Sequence, residues 1–329
     1  LGKLGAILLV GGFGTRLHPL TLDTPKPFLH VAGVPFIDHQ IHQAVAAGVS
    51  EIVLATSFKS EIFIPYCGDG SRYKTSIKYA VEEVALGTGG AIRNAAKLLS
   101  PDIENVVIFN GDVLSGFTLR DEVDFHQQNK AWATLYLTTV SDARPFGVVE
   151  LNENNSILSF REKMENPPTN VINAGCYIFS RELIDHIENN YEDGKVISVE
   201  REIFPQLLTD EKPLFGFVDN SYWLDMGTPE NFRKASVDLI TGVAFSPATP
   251  SNNGEVVMGE NCTVSQSAEL TEGTSLANNV VVGDGAKVSA TIVGEGASIG
   301  ARSIIKNSII NKGAIIPDGF ILDSAIFGF

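Results

Sequence analysis

The end of the chain repeats itself, and that repeat leaves few folds open. The strings VVVGDGAKV (280–288), TIVGEGASIG (291–300) and SIINKGAII (308–316) each carry an aliphatic residue, then Gly or Asn two residues ahead of a second Gly, then Ala. An aliphatic position returning about every six residues predicts a left-handed parallel β-helix, whose triangular coils stack their aliphatic corners inside. Four or five coils are expected between Val256 and Phe329, with SQSAELTEGTSL (265–276) the least regular part. No Trp, Tyr or His occurs in this segment.

Upstream the pattern changes. AILLV (6–10), EIVLAT (51–56) and NVVIFNGD (105–112) are apolar runs of strand length, whereas FIDHQIHQAVAAG (36–48) places Phe36, Ile37, Ile41, Ala44 and Val45 on one helical face with Gly48 as its stop. Strand, helix and strand in alternation predict an α/β domain with a mostly parallel mixed sheet over 1–240. GVAFSPATPSNNGE (242–255), rich in Pro, Ser, Asn and Gly, reads as a linker, so the division is 1–240, 241–255 and 256–329.

Charge and cysteine usage narrow the partners. A net charge of −15 over 329 residues argues against nucleic acid or an anionic membrane, both of which need excess Lys and Arg. It does not argue against a nucleotide, because one basic cluster and a divalent metal offset several phosphate charges. Cys67, Cys176 and Cys262 are odd in number and far apart, which suits a reducing, cytoplasmic setting. No run approaches the roughly 20 apolar residues of a membrane span.

The chemistry is concentrated in LLVGGFGTRLHPLTLDTPKPFL (8–29). Gly11, Gly12 and Gly14 let the backbone come close to a ligand and turn N–H groups toward phosphate oxygens, and Arg16 and Lys26 add charge. The string is neither a Walker A loop nor the dinucleotide GxGxxG. Asp112 ends one apolar strand and Asp225 follows another, and Thr228-Pro229 starts a helix. In FREK (160–163), Glu162 and Lys163 are strand neighbours, so one of the two faces solvent. Gly87 and Thr88 open a helix whose first N–H groups suit a base or a phosphate, and Glu82 or Glu83 could accept from the donor edge of a base. His39 and His42 lie on what reads as a surface helix, where metal binding is not expected.

The run Gly-Gly-x-Gly-Thr-Arg-Leu followed by Pro-Lys-Pro resembles the signature of the sugar-1-phosphate nucleotidylyltransferases. Further motifs of that family follow in order: EEVALGTGGAI (82–92), FNGDVL (109–114), FGVVEL (146–151), FREK, NAGCYIF (173–179) and YWLDMGTPENF (222–232). The resemblance implies a Rossmann-like nucleotidyltransferase domain ahead of the β-helix and an Mg²⁺ ion held by Asp112 and Asp225. It implies a nucleotide on Leu9, Gly11, Gly12, Gly14, Thr15, Arg16, Lys26, Glu83, Gly87, Thr88 and Asp112, with the sugar phosphate on Gly147, Glu162, Lys163 and Asn173. Arg16, Lys26, Asp112, Lys163 and Asp225 would be the catalytic set. LVGG where relatives have LAGG, with SVEREIFP (198–205), points to GTP and mannose 1-phosphate as substrates. Met164 stands where the family pattern has Pro.

Three rivals stay open at this stage. One keeps the reaction with UTP or dTTP and glucose 1-phosphate, or with GTP and a heptose 1-phosphate. A second is a non-catalytic nucleotide-sugar-binding regulatory subunit, which would be free to lose Arg16, Lys26 or a metal Asp. A third is acyl transfer by the β-helix, against which stands the lack of any His there. The exposed end of an aliphatic coil favours a homo-oligomer.

Overall fold

The computed structural model describes residues 2–57, 60–249 and 255–329, so residues 250–254 of the expected linker lie outside the described residues. The chain divides into two compact units, one of Leu1–Gly12, Gln40–Val113 and Phe117–Trp223, the other of Phe13–His39, Leu114–Gly116 and Leu224–Phe329.

The first unit is built on a nine-stranded sheet. Strands β1 (Lys3–Leu9), β2 (Glu51–Thr56), β3 (Ser76–Val81) and β4 (Ile103–Asn110) are parallel in the order β4-β1-β2-β3. The interiors of β1 and β2 are buried, which is why they read as unbroken apolar runs rather than alternating ones. The other half holds β5 (Ala133–Thr139), β6 (Gly147–Leu151), β7 (Ile157–Glu162), β8 (Val171–Ser180) and β9 (Leu214–Val218). There β8 runs antiparallel to β4, β5 and β6, while β9 pairs parallel with β5, so the sheet is mixed.

Helix α1 (Phe36–Ala46) buries Phe36, Ile37, Ile41 and Ala44, the face marked by its periodicity. The expectation that its histidines sit on a surface fails for His39, which is only 3% exposed. Its Nδ1 lies 2.6 Å from Ser246 Oγ and its Nε2 lies 3.0 Å from the Val31 carbonyl. Ser246 belongs to the stretch expected as linker, and this bond anchors that part of it as an ordered turn. His42 stays half-buried, edge-on to Tyr73.

Helices α2 (Gly87–Ala96), α3 (Leu119–Gln128) and α4 (Arg181–Asn190) also belong to the first unit, α2 and α4 contributing Ile92, Ala95, Leu183, Ile184 and Ile187 to its main core. On α3, buried His126 has its ring nitrogens at Thr134 Oγ1 (2.9 Å) and Asn105 Oδ1 (3.1 Å). Burial lowers its pKa to about 4, against 6.5 ordinarily. The unfolded chain therefore takes up a proton before the folded one does, and stability falls as pH drops from about 6.5 toward about 4. The full loss is about 3 kcal/mol. Thermal unfolding across that window should show the decline in the wild type and a flatter profile in His126→Gln.

In the second unit, α5 (Pro229–Ile240) starts as expected, with Thr228 Oγ1 accepting from the Asn231 N–H at 3.3 Å and Pro at the first turn. Beside it lies His30–Val31, which forms a hairpin with Val34–Pro35, and elsewhere Val113–Ser115 pairs with Trp223–Asp225. Ser236 Oγ on α5 accepts from the Ala32 N–H at 3.0 Å, and Arg233 Nη1 donates to the Ala290 carbonyl at 3.0 Å.

Beyond α5 the chain winds into the left-handed parallel β-helix that the repeat predicts, one sheet of five strands and two of four. Four full coils and a last strand, Ile326–Phe327, are present. Only the first coil is three whole hexads: it is 18 residues long, with Val256 opposite Thr274, and the later coils are 17, with Ile292 opposite Ile309. Leu276, Val293 and Ile310 stack inside along one sheet, and Val282, Ile299 and Ile316 along another. One corner is turned by Asn261, Asn279, Gly296 and Gly313 at φ of 55°, 61°, 67° and 66°. That left-handed conformation is the physical reason the repeat alternates Gly with Asn. Among the described residues no helix is long and apolar enough to cross a membrane.

Candidate active site

The candidate residues fall into two groups, one in each unit, and each group has its own geometry.

In the first unit, β1 and β4 end side by side with Leu9 opposite Asn110. Val10 N–H bonds the Ala55 carbonyl at 3.0 Å, and Gly11's carbonyl accepts from Ser57 Oγ at 2.5 Å. A Cβ on Gly11 would stand 2.8 Å from that hydroxyl, whereas one on Gly12 would meet no described atom within 4 Å. Gly11 is thus required by the protein's own packing, and Gly12 presents open backbone. Gly111 is different again, because a Cβ there would strike the Leu9 carbonyl oxygen. It allows β1 and β4 to run out together and places half-buried Asp112 directly past the end of β4.

The start of α2 is more enclosed than a free helix end. Gly87 takes φ of 71° against the Ile197 backbone, and Gly89 N–H donates to the Ile197 carbonyl at 2.8 Å. Thr88 Oγ1 donates to Glu200 Oε2 at 2.8 Å and accepts from the Val199 N–H at 2.9 Å. The Thr88 hydroxyl is therefore committed to the protein. Glu82 closes the turn before α2 by accepting from the Leu86 N–H at 3.2 Å, and partial burial raises its pKa. Glu83 next to it is exposed, so of the two carboxylates it is the one available to a ligand.

On the sugar-side candidates, β6 pairs with β7 so that Gly147 faces Glu162. A Cβ on Gly147 would stand 2.7 Å from Glu162 Oε1 and 2.9 Å from Phe160 Cζ. The residue is small because the Glu162 carboxyl lies over it. Burial raises the Glu162 pKa, the nearby Glu200 carboxylate raises it further, and Lys163 and Arg201 oppose the shift. Lys163 is exposed while Glu162 is half-buried, the alternation expected of strand neighbours. Lys163 leaves β7 at φ of 48°, its N–H bonded to the Phe146 carbonyl at 3.1 Å. That turn directs the chain out of the strand at the point where Met164 departs from the family pattern.

Asn173 sits where β8 loses register between Asn173 and Tyr177. Its Oδ1 accepts from the Gly175 N–H at 3.0 Å and its Nδ2 donates to Tyr177 Oη at 2.7 Å. Tyr177 Oη donates in turn to Glu200 Oε1 at 3.3 Å. Glu200, absent from the candidates named by sequence, is thus bonded both to Tyr177 and to Thr88. It lies in the π-type turn Val199–Ile203, a helix irregularity found frequently at functional sites.

In the second unit, Gly14 at φ of 63° starts the turn Thr15–Leu17, and its carbonyl accepts from Thr21 Oγ1 at 2.8 Å. A Cβ at Gly14 would lie 3.4 Å from the Lys26 Cβ, so the glycine loop and the Pro-Lys-Pro segment are in contact. Arg16, mostly exposed, reaches Asp225 with Nη1 3.4 Å from Oδ2. Asp225 Oδ1 accepts from the Gly227 N–H at 2.7 Å. A Cβ on Gly227 would stand 2.5 Å from Arg16 Cζ, so this glycine makes room for the guanidinium. The sequence motif contains Gly227, yet only the packed loop shows its use. Arg16 thus lies against Asp225, and Lys26 lies against Gly14 at the start of the turn that holds Thr15 and Arg16, which puts two cationic side chains around one glycine loop, an arrangement suited to anionic oxygens.

Residues 5–242 match the family model described as nucleotidyl transferase, and residues 246–323 match a GlmU-like C-terminal hexapeptide model. The chain is 45% identical over 291 residues to a mannose-1-phosphate guanylyltransferase of Mycobacterium tuberculosis, covering 88% of this chain and 79% of that protein. It is 35% identical over 267 residues to the mannose-1-phosphate guanyltransferase of Debaryomyces hansenii, covering 80% and 72%. Among solved structures, a putative glucose-1-phosphate thymidylyltransferase from Bacillus anthracis shares the fold at a TM-score of 0.67 and 22% identity, over 75% of this chain and 98% of that one. HddC from Yersinia pseudotuberculosis aligns at a TM-score of 0.60 and 27% identity, over 72% and 98%.

Proposed function

We infer the reaction of this chain from the family to which it belongs, the nucleotidyl transferases: it transfers GMP from GTP to mannose 1-phosphate, giving GDP-mannose and pyrophosphate. One observation carries the mechanism, the packing of Lys26 against Gly14 and of Arg16 against Asp225 around the glycine loop. A phosphate oxygen of the sugar phosphate attacks the α-phosphorus of GTP in line. The bond from that phosphorus to the bridging oxygen breaks, and pyrophosphate leaves. The attacking oxygen is already ionised at neutral pH, so no general base is needed, and catalysis rests on position and on charge neutralisation.

In this reading Lys26 faces the transferring phosphoryl group, Arg16 the departing pyrophosphate and Lys163 the sugar phosphate. Gly12 receives the nucleotide with its open backbone, Leu9, Gly11 and Thr15 line the same loop, and Glu83 takes the guanine edge. Gly147, Glu162 and Asn173 address the hexose. Asp112 and Asp225 are hard oxygen donors of the kind Mg²⁺ takes alongside phosphate oxygens and water, and the fixing of Asp225 Oδ1 by Gly227 fits a carboxylate kept in one orientation. When bound, Mg²⁺ would neutralise charge on the phosphates. Self-association finds support in Ile315 and Ile321, 74% and 71% exposed on the late coils. A cytoplasmic setting accords with the lack of any disulfide among the described residues.

The test is pyrophosphate release with Mg²⁺ and mannose 1-phosphate, supplying GTP, UTP, dTTP, ATP and CTP separately. GTP alone should support release. Preference for another nucleotide would overturn the guanine assignment, and silence with every sugar phosphate tried would favour a regulatory protein.

A further inference from the structure

We infer that Glu200 is a positioning residue that ties the nucleotide-side start of α2 to the sugar-side bulge of β8, so that the two substrates are held in mutual register. The inference rests on the reaction proposed above. Its basis is the continuous chain of hydrogen bonds from Asn173 Nδ2 through Tyr177 Oη to Glu200 Oε1, and from Glu200 Oε2 to Thr88 Oγ1, with Ser198 Oγ also donating to Oε2 at 2.9 Å. Both carboxylate oxygens are engaged, each by a different side of the site. A carboxylate suits this place because every neighbour is a donor: Tyr177 has its own acceptor role filled by Asn173, and Thr88 has its acceptor role filled by Val199.

A glutamine at 200 keeps the shape and can accept on only one side. Its amide nitrogen would then face a donor, either Thr88 and Ser198 or Tyr177. The end that loses its acceptor is free to drift, and small displacements of positioning groups lower rates steeply. Glu200 also influences the sugar side electrostatically, since its charge adds to burial in raising the Glu162 pKa, against Lys163 and Arg201. Removing that charge should lower the pKa of Glu162.

The experiment compares wild type with Glu200→Gln in steady-state pyrophosphate release, varying GTP and mannose 1-phosphate separately across pH, alongside thermal unfolding. The variant should lose about tenfold in kcat/KM, the worth of one hydrogen bond to a charged group. KM should rise for both substrates, and the acid limb of the pH profile should move to lower pH. Unchanged KM values and an unmoved acid limb would overturn the inference, as would a lower unfolding midpoint with kcat alone reduced. Should Glu200→Gln fail to fold, Tyr177→Phe and Thr88→Val take its place. The first should affect mannose 1-phosphate, the second GTP, and their double variant should be non-additive; strict additivity would overturn the inference. A wild type inactive with GTP and mannose 1-phosphate would instead discard the reaction assignment, which separates the two failures.

Discussion

Asp112→Asn is expected to fold like the wild type and to lose about 10²–10³ in kcat, the scale of removing one preorganised electrostatic contact from a transition state. The fold should survive because the residue lies beyond the last residue of β4, half-buried, and asparagine has the same size. Turnover should not survive, because the anionic oxygen at this position is what the proposed metal set depends on. Circular dichroism and thermal unfolding check the first half, and pyrophosphate release over a range of Mg²⁺ concentrations checks the second. Wild-type turnover at limiting Mg²⁺ would remove Asp112 from the metal set.

Gly111→Ala should be nearly as damaging for a different reason. The added methyl meets the Leu9 carbonyl oxygen, a backbone atom that cannot swing aside, in the place where β1 and β4 run out together. Relief requires the strand ends to separate, which carries Asp112 and the Gly11–Gly12 backbone apart. A loss of about 10² in kcat/KM is expected from such misplacement, with about 1–3 kcal/mol of destabilisation from overpacking. Gly12→Ala is the control. It meets no described atom within 4 Å, so its unfolding midpoint should stay put while KM for GTP rises. If both alanines lowered stability and spared KM for GTP, the open backbone at Gly12 would have no role in binding.

Much of this molecule was legible in its residues, for reasons that can be named. The buried strands show because burial on both faces demands unbroken aliphatic runs. The β-helix shows because its corners demand a left-handed backbone that Gly and Asn supply most readily. The glycine loop shows because few other arrangements need so much bare backbone beside an Arg and a Lys.

What stayed hidden depends on partners far off in the chain. His39 reads as a surface residue until Ser246 covers it. Gly147 is equally small whether it spares a sugar or spares the carboxyl of Glu162, and only the strand register decides that Glu162 lies over it. Glu200 sits in a string of charged residues that looks solvent-exposed, and its partners Thr88 and Tyr177 come from distant segments. Gly227 gives no signal of its own, since its purpose is to leave space for Arg16.

The later coils advance by 17 residues, not by three equal hexads. Insertions and deletions in this tail are consequently quantised. Removing one whole period drops a storey from the stack while every remaining aliphatic keeps its inward aspect and every corner keeps its Gly, Asn or other left-handed residue. Cutting out a tidy three hexads would slip the phase by one position, turning inward side chains out and placing corner conformations on residues unsuited to them. Lineages of this architecture can therefore lengthen or shorten their tails without rewriting them, provided the change comes in units of the coil the chain already uses.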